Sequence, residues 1–261
     1  VGFGDSASVD TGDITKSLRF RASGSTYMSR TVAAAGNRQK WTFSAWYKTS
    51  YLSGTIDNLL GTPYSTAATN ATLIRIAGGV IGVASWDASV QTVNVSSTNL
   101  LRDPSSHYHI VVSVDTTQAT AANRVRIYVN GVEVAYQAGT APSLNYNTYI
   151  NNNLVHYSGV LWFSSGGAYA ASQPSDGYLS RICFVDGQAL TPSSFGYLNT
   201  EINEWVTLSR SACKAVVDAG GTNSFMLDFE DGTSLTTLGN DYSTKNNDWT
   251  LTNHSLTAGV T

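Results

Sequence analysis

The chain has 261 residues, of which 42% are hydrophobic and only 13% charged, and its formal net charge is −3. That length admits one large β domain or two small ones and buries roughly 70–75% of the unfolded surface without a covalent staple. The abundance of Trp, Tyr, Val and Ile argues against disorder, no basic stripe offers itself to nucleic acid, and no apolar run approaches the ~18 residues of a membrane span.

Typical domains carry ~25% charged residues, so this surface must be built from Ser, Thr, Asn, Gln and Gly. Neutral polar groups of that kind suit an extracellular or virion protein that hydrogen-bonds to sugars or to neighbouring subunits. The first residues, VGFGDSASVDTGD, lack the charged-then-apolar order of a secretory signal.

Along the chain, residues 17–22 alternate, with Leu18, Phe20 and Ala22 opposite Arg19 and Arg21, which predicts a half-buried strand. Residues 41–49 alternate too, Phe43, Ala45 and Tyr47 against Thr42, Ser44 and Trp46. Residues 72–77 and 80–86 read as strands joined at Gly78-Gly79. Residues 109–115 put Ile110, Val112 and Val114 on one face. The clearest hairpin is RVRIYVNGVEV at 124–134, where Asn130-Gly131 supplies the two positive-φ positions of a type I′ turn. The run 144–157, rich in Asn and Tyr, reads as a long loop. Strands are predicted at 159–164 and 178–185, and residues 225–229 and 248–252 read as a last pair. Helix is scarce: Thr191-Pro192 starts a short one, and SRSACKAVVD at 209–218 has helical spacing, stops at Gly220-Gly221 and is expected to pack on a sandwich edge. Ten to twelve short strands with regular turns predict an all-β, two-sheet antiparallel jelly-roll sandwich with one or two short helices.

Two cysteines are too few for a disulfide scaffold or a zinc site. Cys183, between Ile182 and Phe184, reads as a small buried hydrophobe; a disulfide to Cys213 stays open, since spacing alone does not show proximity.

Five segments in order, SLRFRASGSTYMS, WTFSAWYKT, HIVVSVD, RVRIYVNGVEV and GYLSRICFVDGQALTPSSFG, resemble the laminin-G-like branch of the concanavalin A-like lectin/glucanase superfamily. The stretch DGQALTPSSFG, with FMLDFEDG and LGNDYSTKNNDWTLTNHSLTAGVT, resembles virion-associated proteins of tailed bacteriophages. These resemblances imply a lectin-like jelly roll on a virion surface or in an extracellular setting, with host-surface polysaccharide or other virion proteins as partners and a homo-oligomeric state. The whole chain, 1–261, is expected to be a single domain. Residues 197–261 form a C-terminal elaboration that closes the sandwich or begins a further module. In many laminin-G-like modules a segment like 227–251 precedes the first long strand, whereas here it comes last.

The superfamily's glucanases need paired carboxyl groups, and a Glu-x-Asp-x-Glu strand pattern is absent. Asp228 and Glu230 in LDFED are the one candidate pair, against a solvated strand end running into the Asp231-Gly232 turn. His107 and His109 would share a strand face, but no third metal ligand accompanies them. No Gly-x-Ser-x-Gly elbow and no phosphate-binding glycine loop occurs. An enzyme is therefore not expected; a glycan depolymerase using Asp228 and Glu230 and a secreted bacterial adhesion module are the alternatives.

Sugar sites pair amides and carboxylates with aromatic faces. Two places supply both: Asn145, Tyr146, Asn147, Tyr149, Asn151, Asn152 and Asn153 in the Asn/Tyr run, and Trp86 with Asp87 at a strand end. An ordinary turn-rich loop and core packing are the bland readings of the same residues. The resemblance also raises calcium, for which Asp228, Asp231 and Asp241, with Asn240, Asn246 and Asn247, offer oxygen ligands without EF-hand spacing. Sequons at Asn70, Asn94 and Asn253 matter only in a eukaryotic secretory setting.

Overall fold

In the computed structural model, residues 14–50, 56–65, 70–135, 139–165 and 168–257 are described. The apolar alternation of residues 41–49 makes the strand Lys40–Thr49, which lies between Tyr108–Asp115 and Gly177–Asp186. In that register Trp41 faces Val114, Phe43 faces Val112 and Ala45 faces Ile110, so one side of the ladder is wholly apolar. Leu18–Phe20 and Phe225–Leu227 add to Gly177–Asp186, and Val125–Val129 and Val132–Glu133 continue from Tyr108–Asp115. Asn130 and Gly131 take φ of 48° and 80°, the turn that their sequence predicts.

The second sheet runs in the order Thr250–Thr252, Tyr27–Thr31, Val155–Ser158, Ile56–Gly61, Ala71–Ala77, Val80–Asp87, Val90–Leu100, all antiparallel. The two sheets face each other across one core that includes Trp41, Phe43, Ile74, Ile81, Val93, Ile110 and Phe229. Trp41 is fully buried, and its indole N–H donates to Thr148 Oγ1 at 2.9 Å, which satisfies the one polar atom it carries inward.

Three expectations need correction. Residues 225–229 and 248–252 do not pair with each other. Phe225–Leu227 joins the first sheet and Thr250–Thr252 the second, so the C-terminal region contributes to both. The Asn/Tyr run is a loop only as far as Leu154: Val155–Ser158 is a strand between Tyr27–Thr31 and Ile56–Gly61. The helix Arg210–Asp218, N-capped by Ser209 Oγ accepting from Ala212 N at 3.1 Å, packs on the outer face of the first sheet and not on an edge. There Cys213 and Val217 meet Val111, Tyr128, Cys183 and Val185. Cys183 and Cys213 are free buried thiols.

A hairpin of Gly196–Asn199 and Glu204–Thr207 extends this covering layer. Arg181, at a bulge with φ 40° and nearly inaccessible, holds it down by donating to Thr207 Oγ1 and Leu208 O at 3.1 and 2.8 Å.

Candidate functional site

The two sequence-predicted sugar patches come together. Tyr149 Oη donates to Asp87 Oδ1 at 2.7 Å, across 62 positions. The chain fixes this contact from several sides. Tyr149 N donates to Thr72 Oγ1 at 2.8 Å, and Thr148 N donates to Arg38 O at 3.1 Å. Burial first, and then the Asp87 carboxylate, push the Tyr149 phenol up to about 12, so at neutral pH it remains a donor. Tyr146 Oη lies 3.2 Å from Thr92 Oγ1. Asp87 ends the strand Val80–Asp87, and the turn beyond it uses Ala88 and Ser89 at φ 46° and 71°. Residues with a Cβ pay roughly 1–2 kcal/mol there. The amide of Ala88 donates to Asn70 Oδ1 at 3.0 Å, which ties that turn down.

One guanidinium group borders this surface, and a second covers Trp86. Arg38 sits 5.3 Å from the centre of the Tyr149 ring and donates to Thr148 O and Asn147 O. Arg75 sits 5.7 Å from the Trp86 ring. Neither was legible as a site residue, because each is joined to its aromatic partner only by tertiary folding. Asp87, Tyr146 and Tyr149 are half-buried and Asn145 and Asn147 exposed, so two rings, a carboxylate and amides reach solvent here, while Trp86, adjacent to Asp87 in the same strand, points to the opposite face of the sheet. That is a surface able to stack a sugar ring and bind its hydroxyls.

Asn151 does not belong to it. Its side chain is buried, donates to Asn37 O and Asp186 Oδ1 at 3.1 and 2.6 Å, and accepts from Asn223 Nδ2 at 2.8 Å. Asn152 makes a backbone turn, donating from N to Tyr149 O. The Asn151 network borders a polar cleft of about 610 Å³ whose lining includes Arg30, Asp186, Asn223, Asn247 and Asp248. Burial lowers the Arg30 guanidinium, while Asp241 and Asp248 oppose the shift.

The candidate calcium ligands are not brought together. Asp228 pairs with Arg210 at 2.5 Å, Asp231 accepts from Thr233 N and Oγ1, and Asp241 accepts from Met226 N, Ser243 N and Asn247 N. Among the described residues no three His, Cys, Asp or Glu side chains form a group fit for a metal. His107 is exposed, whereas His109 is buried with Nε2 against Ser44 Oγ and Nδ1 accepting from Trp205 Nε1, both at 2.9 Å.

A family model described as the concanavalin A-like lectin/glucanases superfamily matches residues 22–194. The chain belongs to that superfamily. No curated protein sequence matches it. Among solved structures, a proposed carbohydrate-binding protein from Bacteroides ovatus is similar at TM-score 0.56 and 15% identity, over 95% of this chain. The chain spans 59% of that protein's length. A heptameric SAP-like pentraxin from Limulus polyphemus is similar at TM-score 0.49 and 12% identity, over 80% of this chain and 85% of its own. Tailspike protein 2 of the Escherichia coli O157:H7 bacteriophage CAB120 is similar at 0.45 and 10%, over 69% and 23%. At these identities the likeness is one of fold.

Membership of the concanavalin A-like lectin/glucanase superfamily makes the Asp228 and Glu230 pair worth placing. The strand ends at Leu227, and Phe229 takes φ 61°, so the alternation that would align the two carboxylates stops before them. Asp228 is held by Arg210, while Glu230 accepts from Thr15 Oγ1 at 2.9 Å. The two carboxyl groups are engaged by separate protein donors.

Proposed function

We propose that this chain is a non-enzymatic lectin-like module that binds polysaccharide through Asp87, Tyr146 and Tyr149. The observation that carries the reading is the Tyr149–Asp87 hydrogen bond, which joins the Asn/Tyr loop to the carboxylate that ends the strand Val80–Asp87. The carbohydrate-binding description of the Bacteroides ovatus protein supports it. The resemblance of residues 186–196 and the C-terminal region to tailed-phage proteins supports a virion appendage as the setting and host-surface polysaccharide as the ligand.

Binding of the purified chain to host-envelope polysaccharides, by array and then calorimetry, is the test. Tyr149→Phe and Asp87→Asn are expected to weaken binding about tenfold, the worth of a hydrogen bond to a charged group. Tyr146→Ala is expected to weaken it comparably by removing a stacking face, whereas Trp86→Ala, on the opposite face of the sheet, is expected to leave it unchanged. Chelation with EDTA is expected to leave affinity unchanged, since Asp228, Asp231 and Asp241 are spent on protein donors. Release of reducing ends that is lost in Asp228→Asn would overturn the non-enzymatic reading.

One observation favours a second role. Tyr197, Leu198 and Ile202 on the outer hairpin are 49%, 52% and 57% exposed. They offer an apolar contact for other virion subunits or a second copy. Sedimentation that shifts from oligomer to monomer in Leu198→Lys would support that role, and glycan binding without self-association would count against it.

A further inference from the structure

We propose that a slot on the outer face of the first sheet, walled by Trp46, is a second saccharide subsite that stacks one neutral pyranose ring. This rests on the glycan-binding reading and extends it to the other sheet. In the ladder Trp46 lies opposite His109 on one side and Ser180 on the other. The Trp46 and His109 rings stack with centroids 5.0 Å apart and planes 25° apart. Stacked across neighbouring strands, the rings stand up from the sheet. His109 covers one face of the indole. The other face looks over Ser180, whose side chain is too small to cover it. Beyond Ser180 the far wall is Lys16 and Ser17, where the chain enters Leu18–Phe20. Two strand spacings, about 9–10 Å, separate the walls, and a flat ring needs about 3.5–4 Å to each. The cavity measures about 410 Å³.

The platform is rigid before any ligand arrives. Trp205 N–H donates to His109 Nδ1, so the neutral imidazole offers its Nε2–H to Ser44 Oγ and its ring is held at both ends. Rigidity of this kind lowers the entropic cost of binding. The rim selects the ligand class. Glu204 and Thr207 overhang the slot from the hairpin, with Ser180 and His107 also lining it. Sugar hydroxyls donate and accept at once and can satisfy such a mixed rim. A purely aromatic guest would stack but leave those groups unpaired. Lys16 and Glu204 carry opposite charges, which favours an uncharged ring over an ion.

The test is the ¹H–¹⁵N spectrum of the full chain, titrated with the methyl glycosides of glucose, galactose, mannose and N-acetylglucosamine. The Trp46 indole N–H is expected to shift saturably with a Kd in the millimolar range, as befits one stacked ring. The Ser180 amide N–H, on the floor of the slot, is expected to shift with it; Trp46→Ala is expected to abolish that Ser180 shift, and Glu204→Gln, an exposed position, to weaken binding about tenfold. The proposal is overturned if no probe moves the Trp46 signal in the wild-type chain. Saturation at Ser180 that persists in Trp46→Ala, or saturation that is untouched by Glu204→Gln, overturns it equally. The Tyr149 amide N–H is read in the same spectra. Silence at Trp46 with a response at Tyr149 removes only the slot, while silence at Tyr149 with host polysaccharide removes the reading on which the slot rests.

Discussion

His109 and His156 are buried and His254 half-buried, each as a neutral ring. Burial pushes His109 down to about 3 and both His156 and His254 down to about 4, against an ordinary value near 6.5. Each has a folded pKa below its unfolded one. Its neutral form therefore supports the fold fully above pH 6.5, and that support is lost as pH falls toward 4, where only the unfolded chain takes up the proton. Each such proton is worth about 1.4 kcal/mol per pH unit. Urea midpoints are expected to fall steeply between pH 6.5 and pH 4, and substituting His156 with Gln should flatten the slope by about one proton. A midpoint that is level over this interval would show that the rings are solvated. The roles of these histidines were not legible in the sequence, where His107-x-His109 reads only as two imidazoles on one face. His109 became buried because Trp46 and Trp205 close over it from strands far apart in the chain.

Among elements, the short closing strand Thr250–Thr252 shows where local pattern stops being informative. It makes three register pairs with Tyr27–Thr31, too few to hold on ladder bonds alone. Its anchor is the preceding Trp249, 4% exposed and 5.1 Å from the Phe225 ring. Trp249→Ala is expected to cost about 3–5 kcal/mol and to raise hydrogen exchange at Tyr27–Thr31 first, which mass spectrometry would localise. Elements with strong local signals were readable: the Asn130-Gly131 turn, the alternation of Trp41 to Thr49, and the helical spacing of residues 209–218. Val155–Ser158 was not, because NNNLVHYS carries no clean alternation and its strand identity comes from neighbours on both sides. Asn151 and Tyr149 look alike in the sequence as polar loop residues. Asp186 and Asn223 draw the first inward, and Asp87 holds the second at the surface.

At the scale of the whole molecule, two sheets enclose the main core, and residues 190–220 lay a second, smaller apolar layer on the outside of the first sheet. The low charge content allows this, since so few groups on that face demand water. The jelly roll was legible because alternation and turns are local properties. The covering layer was not, because its partners Val111, Tyr128 and Cys183 alternate as solvent-facing residues would. Within it, the contact with Cys213, together with burial, raises the Cys183 thiol well above its ordinary range. Sheet and helix each contribute one of the two sulfurs, so the layer carries its own chemical clock. A maleimide reaches neither thiol until the helix lifts, and the rate of alkylation then measures how often it lifts. Val217→Asp, placing an unpaired charge under the helix, is expected to speed labelling of Cys213 by more than about tenfold. If the labelling rate instead tracked global unfolding, the layer and the sandwich would be opening as one unit.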